Sequence, residues 1–315
     1  MRISISSTDA GKRLDVYLSE FFDGHDKPDF SRSRIKTLIS DGCVKMPKRK
    51  KVFTSQILKE GDVITVHVPK EVNSGYLPEN IPLDIYFEDE HLLVLYKPLG
   101  MVVHPAPGHG HGTLVNALLY HCGDSLLGIS GVKQPGIVHR LDQFTEGLML
   151  AAKTEDAHKT LSNMLAEHQV TRKYCALVWG KLKEESGTIN EPIGRSFTNR
   201  QKMAVHKKGK EAITHYKLLK QYKQMALVEC ALETGRTHQI RVHMKHIGFS
   251  LVGDALYGSA PKTIVLALKE YLKNNVQGQF LASYQIAFTH PITQEHISFQ
   301  TPIPQNFQKL IELID

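Results

Sequence analysis

The chain has 315 residues, of which 41% are hydrophobic and 23% are charged, an ordinary composition for a globular protein. No apolar run approaches the roughly 18 to 20 residues of a membrane span, and the start lacks the apolar stretch of a secretory signal, so we expect a cytoplasmic protein without membrane contact. A net charge of +7 points weakly to an anionic partner. The four cysteines form no CxxC pair, so they predict neither a disulfide framework nor a zinc site.

The first 70 or so residues predict a small module of helices and short strands. The segment SRSRIKTLISDG predicts a helix that Ser31 caps and Gly42 ends, with Ile35, Leu38 and Ile39 on one face. The segment GDVITVHVP alternates as a strand does. The order GKRLDVYL, SRSRIKTLI, a basic turn and LKEGDVITV resembles the S4 domain, a small RNA-binding module.

Positive charge is concentrated in residues 31–51, which carry eight basic side chains and a single acid, Asp41. A charge run is typical of a solvated turn, but a basic helix directly before it favours an RNA-binding face. The residues assigned to that face are Arg32, Arg34, Lys36, Lys45, Lys48, Arg49, Lys50 and Lys51. We therefore predict an S4-like RNA-binding domain over residues 1–72, a polar linker over 73–80 and a second domain over 81–315.

Beyond the linker, strand-like segments alternate irregularly with a few helical ones. The clearest helix is predicted over residues 154–169, where Thr154 suits the N-cap and apolar residues recur every four positions. Strands are predicted over residues 92–96, 174–179, 212–219 and 226–232. Because strands follow one another without regular crossover helices, we predict an α+β fold with a mixed, mostly antiparallel sheet.

The segment GIVHRLDQFTEGLMLAAKT places Asp142 in a polar interval between two β-prone apolar runs, residues 136–138 and 148–152. A buried Asp needs a cation, and the segment ALETGRTHQIRVHMKHIG offers Arg236 and Arg241 around a helix start that Thr237 could cap. A structural Asp–Arg bridge would explain one arginine but not the surplus of basic residues near strand ends. That surplus comprises Arg140, Arg172, Lys173, Arg195, Arg200, Lys202, Arg236 and Arg241. It favours a phosphodiester backbone lying over a reactive carboxylate.

A third segment, TRKYCALVWG, places Tyr174 directly after Arg172 and Lys173 at the head of a predicted strand. An aromatic ring after a basic pair can stack on an extruded base while the cations hold phosphate. A tyrosine packed in the core explains the same pattern equally well.

The three segments, in this order and after an S4-like module, resemble the RluA family of pseudouridine synthases. Within that family the chain is closest to the RluD-type branch, a resemblance carried by RQKMAVHKKGKEAITHY, HPAPGHGHGTLVNALL and HPITQEHISFQTPIPQ. The resemblance implies that residues 81–315 form a pseudouridine synthase domain. It implies isomerisation of uridines in large-subunit (23S) ribosomal RNA, or in its precursor particle, by a monomer that needs no metal or cofactor.

By the same resemblance Asp142 is the nucleophile, Tyr174 contacts the target base, and Arg236 pairs with Asp142, with Arg241 as the alternative. Arg140 holds the flipped nucleotide or fills its place. The other residues expected to bind substrate are His139, Thr145, Arg172, Lys173 and Arg241.

Three residues near Asp142 depart from the family's pattern, which usually has a basic and then a polar residue after the Asp, and Ser before the Gly. Here Gln143, Phe144 and Glu146 stand in those places, and Glu146 adds a negative charge whose effect on activity the sequence leaves open. A non-catalytic ribosome-assembly factor with the same fold is the main alternative. A nucleoside-bond hydrolase is disfavoured because such enzymes use two carboxylates around a water.

The segment HPAPGHGHG holds three histidines, His104, His109 and His111, with Gly and Pro between them. Three histidines at close spacing raise the possibility of a metal site. With no Cys or paired acid at ligand spacing, a mobile loop is the better interpretation.

Overall fold

A computed structural model describes residues 1–23, 32–40, 42–47, 49, 51–67, 77–105, 110–126, 135–199, 201–258, 260–261, 264 and 266–313. The chain divides into two compact units, one formed mostly by the first 75 residues and the other by most of the remainder. The division falls inside the predicted linker, residues 73–80, of which the first four lie outside the described residues.

The N-terminal unit is a three-stranded antiparallel sheet covered by two helices. Its elements are β1 (Arg2–Ser4), α1 (Leu14–Asp23), α2 (Arg32–Ser40), β2 (Val44–Lys45) and β3 (Val63–Val66), and the strand order is β1-β3-β2. The apolar face predicted for α2 is buried, with Ile35, Leu38 and Ile39 packed in one core with residues of α1 and β3. Ser31, the expected cap, lies outside the described residues. The identity of this unit as an S4 domain stays a prediction.

The second unit contains a nine-stranded sheet, which confirms the predicted α+β fold. Its strands are β4 (Asp84–Glu88), β5 (Leu92–Lys97), β6 (Glu146–Ala152), β7 (Thr171–Trp179), β8 (Ser186–Asn190), β11 (Ile213–Gln221), β12 (Met225–Leu232), β13 (Leu281–Thr289) and β14 (His296–Gln300). The order is β4-β5-β6-β13-β7-β12-β11-β8, with β14 also paired to β13. Among the described strands the pairings are antiparallel, apart from the short parallel contact between β6 and β13. A separate hairpin is formed by β9 (Ile193–Arg195) and β10 (Met203–Val205).

Helices cover both faces of the large sheet. They are α3 (Leu114–Cys122), α4 (Glu155–Ala166), α5 (Gln239–His246), α6 (Leu266–Asn275) and α7 (Gln305–Glu312). Helices α3 and α5 pack on one face, through residues such as Leu118 and Ile240, and share a core with inward side chains of β5, β6, β7 and β12. Helix α4 packs on the other face against β5 and β6, while α6 and α7 pack there against β7 and β12.

The predicted elements are found with two exceptions near the site. The helix after Thr154 begins where its cap predicts, since the Thr154 side chain accepts a hydrogen bond from the Ala157 N–H. The β-prone run 136–138 is not a strand, because only Ile137 makes an isolated bridge, to Ala151. The helix expected after Thr237 begins at Gln239, with His238 at the N-cap position.

None of the helices in the described part of the chain is long and apolar enough to cross a bilayer. All four cysteines are free thiols. Cys175 and Cys230 are buried in the sheet, and burial raises the pKa of the Cys175 thiol to about 12.

Candidate active site

A cleft of about 380 Å³ opens on the α5 face of the sheet. Its walls come from the loop before β6, the first residues of β7 and the start of α5. The polar lining residues are His104, His139, Arg140, Asp142, Thr145, Arg172, Tyr174, Arg236, Thr237, His238, Gln239 and Arg241. Among these described residues Asp142 is the one acid, and it is surrounded by arginines and histidines. Of the eight basic residues in the surplus noted from the sequence, four line the cleft, Arg140, Arg172, Arg236 and Arg241, whereas Lys173, Arg195 and Lys202 do not.

The loop that carries Asp142 is fixed by its backbone. The Thr145 N–H donates to the Asp142 carbonyl at 3.1 Å, which closes a turn, and the Gly100 N–H donates to the Gln143 carbonyl at 3.0 Å. Phe144 packs directly on Gly278, whose φ is +117° and where any Cβ would collide with the ring. Asp142 is thus presented from a loop held on both sides.

Lys97, at the end of β5, is a buried cation behind this loop that the sequence analysis missed. Its side chain is fully buried, and Nζ donates to the carbonyls of Pro98, Met101 and Gln143 at 2.9, 2.9 and 3.2 Å. Burial lowers the pKa of Lys97 to about 8, although the charges of Glu146 and Asp142 favour its protonated form. Its signal in the sequence is a Lys ending an apolar strand, LLVLYK, before Pro98.

Arg241 is the arginine that pairs with Asp142, so the pairing predicted for Arg236 is wrong. Its Nη1 lies 2.9 Å from Asp142 Oδ2, while Nε and Nη2 donate to the two carboxylate oxygens of Asp254 at 2.7 and 2.9 Å. Burial alone would lower the pKa of Arg241, but the two carboxylates raise it above its usual value. Asp254 is buried, which would raise its pKa, yet Arg241 holds that pKa below its usual range.

Arg236 precedes α5, and its hydrogen bonds go to Gln239 and Glu211 and not to Asp142. Its backbone N–H donates to Gln239 Oε1 at 2.9 Å and its Nε donates to the Glu211 carbonyl at 2.9 Å, leaving the side chain exposed at the rim of the cleft. Thr237, the expected cap, is also exposed. Arg241 is the third residue of α5, and its side chain is buried.

The start of β7 separates the predicted basic pair. Successive side chains of a strand point to opposite faces, so Arg172 and Tyr174 line the cleft while Lys173 lies on the other side. There Lys173 Nζ is 3.5 Å from Glu229 Oε1. Lys173 is not among the residues lining the cleft, so its expected role in binding substrate is not supported by its position.

Arg172 is a buried arginine with unused hydrogen-bonding capacity. It is 5% exposed, its Nη2 donates to the Glu233 carbonyl at 3.1 Å, and its Nε has no hydrogen-bond partner among the described residues. Burial lowers the pKa of Arg172. Gly235 leaves room for it, because a Cβ there would lie 2.9 Å from Nη1. A buried donor without a partner from the protein favours an acceptor from a bound molecule.

Tyr174 lies beside Arg172 in the cleft and is 5% exposed. Burial raises the pKa of its hydroxyl, so the phenol is neutral. Its ring belongs to the apolar cluster under α5 as well as to the cleft wall. The ring is thus packed in the core, and its stacking on a target base stays a prediction.

Two histidines in the cleft are held neutral by burial. His139 Nε2 accepts a hydrogen bond from the Leu150 N–H at 3.0 Å, and burial lowers its pKa to about 3. His104 has a buried Nδ1 without a partner among the described residues, and burial, assisted by the charge of Arg140, lowers its pKa to about 4. His104 belongs to the histidine-rich segment that the sequence assigned to a mobile loop.

The low pKa of His139 in the folded protein predicts a loss of stability in acid. An unfolded His titrates near 6.5, so between pH 6.5 and 3 the unfolded chain binds more protons and stability falls as the pH falls. His139→Gln retains an acceptor for the Leu150 N–H. Between pH 6.5 and 4.5, we expect its free energy of unfolding to fall by on the order of 2 kcal/mol less than that of the parent. Urea unfolding at the two pH values measures the difference. An identical loss in both proteins would contradict this assignment.

The two other residues near Asp142 have defined partners. Thr145 is buried and its hydroxyl accepts a hydrogen bond from Gln279 Nε2 at 3.0 Å. The Glu146 carboxylate accepts from the Tyr96 hydroxyl at 2.9 Å and from Asn306 Nδ2 at 3.0 Å. The additional negative charge at position 146 is thus held by hydrogen bonds to β5 and α7, and Glu146 does not line the cleft.

The basic residues of the N-terminal unit are partly described. Lys36, Lys45 and Lys51 are exposed, with Lys51 Nζ 5.5 Å from the centre of the exposed Phe53 ring, and Arg49 lies 3.7 Å from Asp62. Lys48, Lys50 and the side chains of Arg32 and Arg34 lie outside the described residues. In the second unit, Arg200 also lies outside the described residues.

No group of three or more His, Cys, Asp or Glu side chains in the described ranges is arranged to hold a metal ion. His111 instead lies 3.1 Å from Glu79. His109 lies outside the described ranges.

Residues 91–246, which include Asp142, Tyr174 and Arg241, match the family model described as RNA pseudouridylate synthase. The chain is 45% identical over 310 residues to the uncharacterised RNA pseudouridine synthase YlyB of Bacillus subtilis, covering 98% of this chain and 96% of that protein. It is 43% identical over 316 residues to ribosomal large subunit pseudouridine synthase D of Zymomonas mobilis, covering 99% and 97%. In fold it is similar to human RNA pseudouridylate synthase domain containing 4, with a TM-score of 0.55 at 22% identity over 73% of this chain and 92% of that one.

Proposed function

The chain belongs to the RluA family of RNA pseudouridine synthases, and from this premise we propose that it isomerises specific uridines of 23S ribosomal RNA with Asp142 as the nucleophilic carboxylate. The observation that carries the proposal is the position of Asp142, the one acid among the described residues of a cleft whose lining also holds four arginines, Arg140, Arg172, Arg236 and Arg241. Arg241 holds its Oδ2 atom.

The reaction breaks the N1–C1′ bond of uridine, turns the uracil, and joins C5 to C1′. The C5 proton is lost and N1 gains one, so the atoms of the nucleotide are conserved. A single ionised carboxylate serves this either by attacking C1′ or by taking up a proton during elimination from the sugar. Hydrolysis would instead need a second carboxylate to activate water. The cleft offers none among its described lining residues.

The base must leave the RNA stack to reach Asp142, at a cost of a few kcal/mol. Tyr174 provides a ring against which the uracil stacks, which returns about 1 to 3 kcal/mol. Arg172, with its free Nε, suits a uracil carbonyl oxygen or a phosphate. Arg140 is exposed at the entrance, where it can hold the flipped nucleotide or fill the vacated place. His139 and Thr145 support the wall around them.

The RNA target is inferred from the relatives. Proteins named ribosomal large subunit pseudouridine synthase D, from Zymomonas mobilis and Pseudomonas aeruginosa, are 43% and 41% identical to this chain over nearly its whole length. This supports large-subunit ribosomal RNA, free or in a precursor particle, as the substrate. We further propose that the protein acts as a monomer in the cytoplasm.

The target is tested with ribosomal RNA carrying tritium at uridine C5, which is released when C5 bonds to C1′. We expect release from 23S transcripts or immature large-subunit particles, at a few discrete positions, and none from 16S transcripts of matched uridine content. Mapping of pseudouridine in the treated RNA identifies the positions. Release from 16S RNA at an equal rate would refute the assignment to the large subunit.

We propose that the N-terminal unit binds the RNA through its exposed lysines. Removing one lysine that neutralises a phosphate should flatten the dependence of log affinity on log salt by about 0.7 to 0.9. Replacing Lys45 and Lys51 together by Gln should therefore weaken binding and flatten the slope by up to about 1.8. Lys59→Gln, an exposed lysine of the same unit outside residues 31–51, is the matched control. An unchanged slope in the double variant would show that this surface does not hold the substrate.

A further inference from the structure

His238 lies between the proposed nucleophile and a buried tyrosine, in an arrangement that the reaction described above does not use. Its Nε2 is 3.9 Å from Asp142 Oδ2, and its Nδ1 is 2.7 Å from the Tyr257 hydroxyl. The Tyr257 hydroxyl oxygen also accepts a hydrogen bond from the Met203 N–H at 2.7 Å. These contacts link β10, the end of the loop after Asp254 and the start of α5.

The hydrogen bonds of Tyr257 indicate which nitrogen of His238 carries the proton. The Met203 amide can only donate, so it occupies an acceptor position of the Tyr257 oxygen, and we assign the hydroxyl proton to the bond with His238 Nδ1 because no other acceptor for it is found among the described residues. Nδ1 therefore accepts, and in the neutral ring the proton lies on Nε2, toward Asp142. Burial lowers the pKa of His238, against the attraction of Asp142, which keeps the ring neutral near pH 7.

The backbone of His238 is in a conformation that side-chain-bearing residues rarely adopt. Its φ and ψ are 57° and 24°, in the left-handed region, and it stands at the N-cap position of α5 without making a side-chain cap. Only two other non-glycine residues among those described have a positive φ, His168 and Gln294. A residue held in this region without a capping function points to a role for its side chain in the site.

Arg241 and His238 both face the same oxygen of Asp142. The Arg241 guanidinium binds Oδ2 at 2.9 Å, and no contact to Oδ1 is found within the described ranges. Asp254 binds Arg241 on the side away from Asp142 and also accepts a hydrogen bond from the Tyr257 N–H at 3.0 Å. One buried carboxylate therefore orients Arg241 directly and His238 through Tyr257. The Tyr257 ring lies 5.0 Å from the Arg241 guanidinium, which packs the two partners together.

We propose that His238 is a positioning residue that donates its Nε2–H to Asp142 Oδ2, so that Oδ1 is the oxygen presented to the target nucleotide. The proposal rests on Asp142 being the nucleophile. The separation of 3.9 Å is longer than a hydrogen bond, and hydrogen bonds in catalytic sites often tighten only in the substrate complex. In this tautomer His238 is a donor and not a base, because its one lone pair is occupied by Tyr257.

The test uses three substitutions of His238 in the full-length chain, assayed with saturating enzyme in single turnover. Gln places an amide N–H near the position of Nε2, Asn places one near Nδ1 and tolerates the left-handed backbone, and Ala removes both. We expect His238→Ala and His238→Asn to slow the reaction about 10- to 100-fold with unchanged RNA affinity, and His238→Gln to recover most of the rate. Tyr257→Phe, which keeps the ring but frees Nδ1, should give a smaller drop. Thermal unfolding of each variant identifies any that fail to fold.

Two results would overturn the proposal while the parent protein remains active. Folded His238→Ala with the parent rate would remove any role for the side chain. His238→Gln as slow as His238→Ala, at equal stability and RNA affinity, would mean that a titrating imidazole is needed and not an N–H donor. Failure of the proposed function would appear differently, as a lack of pseudouridine formation by the parent protein or as an active Asp142→Asn variant.

Discussion

Replacing Asp142 by Asn is expected to abolish pseudouridine formation while leaving RNA binding intact. The amide has the shape of the carboxylate and can still accept a hydrogen bond from Arg241 Nη1, but it is neither a nucleophile nor a base. Removal of the catalytic nucleophile of a serine protease costs on the order of 10⁴-fold or more in rate, and we expect a loss of similar size here. Digestion of the treated RNA to nucleosides, with chromatography of uridine and pseudouridine, measures the product, and a filter-binding assay measures affinity.

Glu146→Gln is the matched control for this change. It makes the same exchange of carboxylate for amide four residues along the chain, at a side chain bonded to Tyr96 and Asn306 outside the cleft. We expect it to retain most of the activity. Substantial activity in Asp142→Asn, or equal loss in both variants, would show that Asp142 does not have the assigned role.

Replacing Arg241 by Met is expected to damage both activity and stability. The change leaves Asp254 buried and unpaired and frees the Asp142 side chain, and removing one partner of a buried ion pair costs about 3 to 5 kcal/mol. We expect the rate to fall by at least about 100-fold, as when a charge-stabilising donor is removed. Arg241→Lys should lose less, since it keeps a charge but cannot bind two carboxylates through a planar fork.

Arg236→Met separates this role from a general loss of positive charge. The Arg236 side chain is exposed at the rim and donates to the Glu211 carbonyl, so its loss should leave the unfolding midpoint near that of the parent and the chemical step nearly unchanged. Urea unfolding and single-turnover rates of the two Met variants give the comparison. A larger loss for Arg236→Met than for Arg241→Met would reverse the assignment.

Much of the sheet and of the site could be predicted from local patterns. Strand alternation and the Thr154 cap located β7, β12 and α4 to within a few residues. The alternation of side chains along a strand also predicts that Arg172 and Tyr174 share one face of β7 and that Lys173 lies on the opposite face. The position of Lys173 outside the cleft could therefore have been predicted from the sequence. The prediction that a single acid is surrounded by cations depended on residue types alone, and the geometry of the cleft agrees with it.

The choice between Arg236 and Arg241 could not be made locally. It depends on where α5 begins, and that is set by Gln239, whose side chain accepts from the Thr234 hydroxyl and the Arg236 N–H. It also depends on Asp254, which follows Arg241 by 13 residues and has no local pattern linking it to the helix. Lys97 and His104 lie at the end of β5 and in the segment after it, about 40 residues before Asp142. Tertiary packing brings them near Asp142, and no local sequence pattern predicts that proximity.

Whether Asp142 drives an isomerisation or a hydrolysis is decided by following three products of one reaction. Ribosomal RNA labelled with tritium at uridine C5 is treated with the parent protein and with Asp142→Asn, and released tritium, pseudouridine and free uracil are counted together. We expect one tritium released per pseudouridine formed by the parent, no free uracil, and none of these products from Asp142→Asn. Free uracil with abasic sites in the RNA, or pseudouridine made by Asp142→Asn, would contradict it.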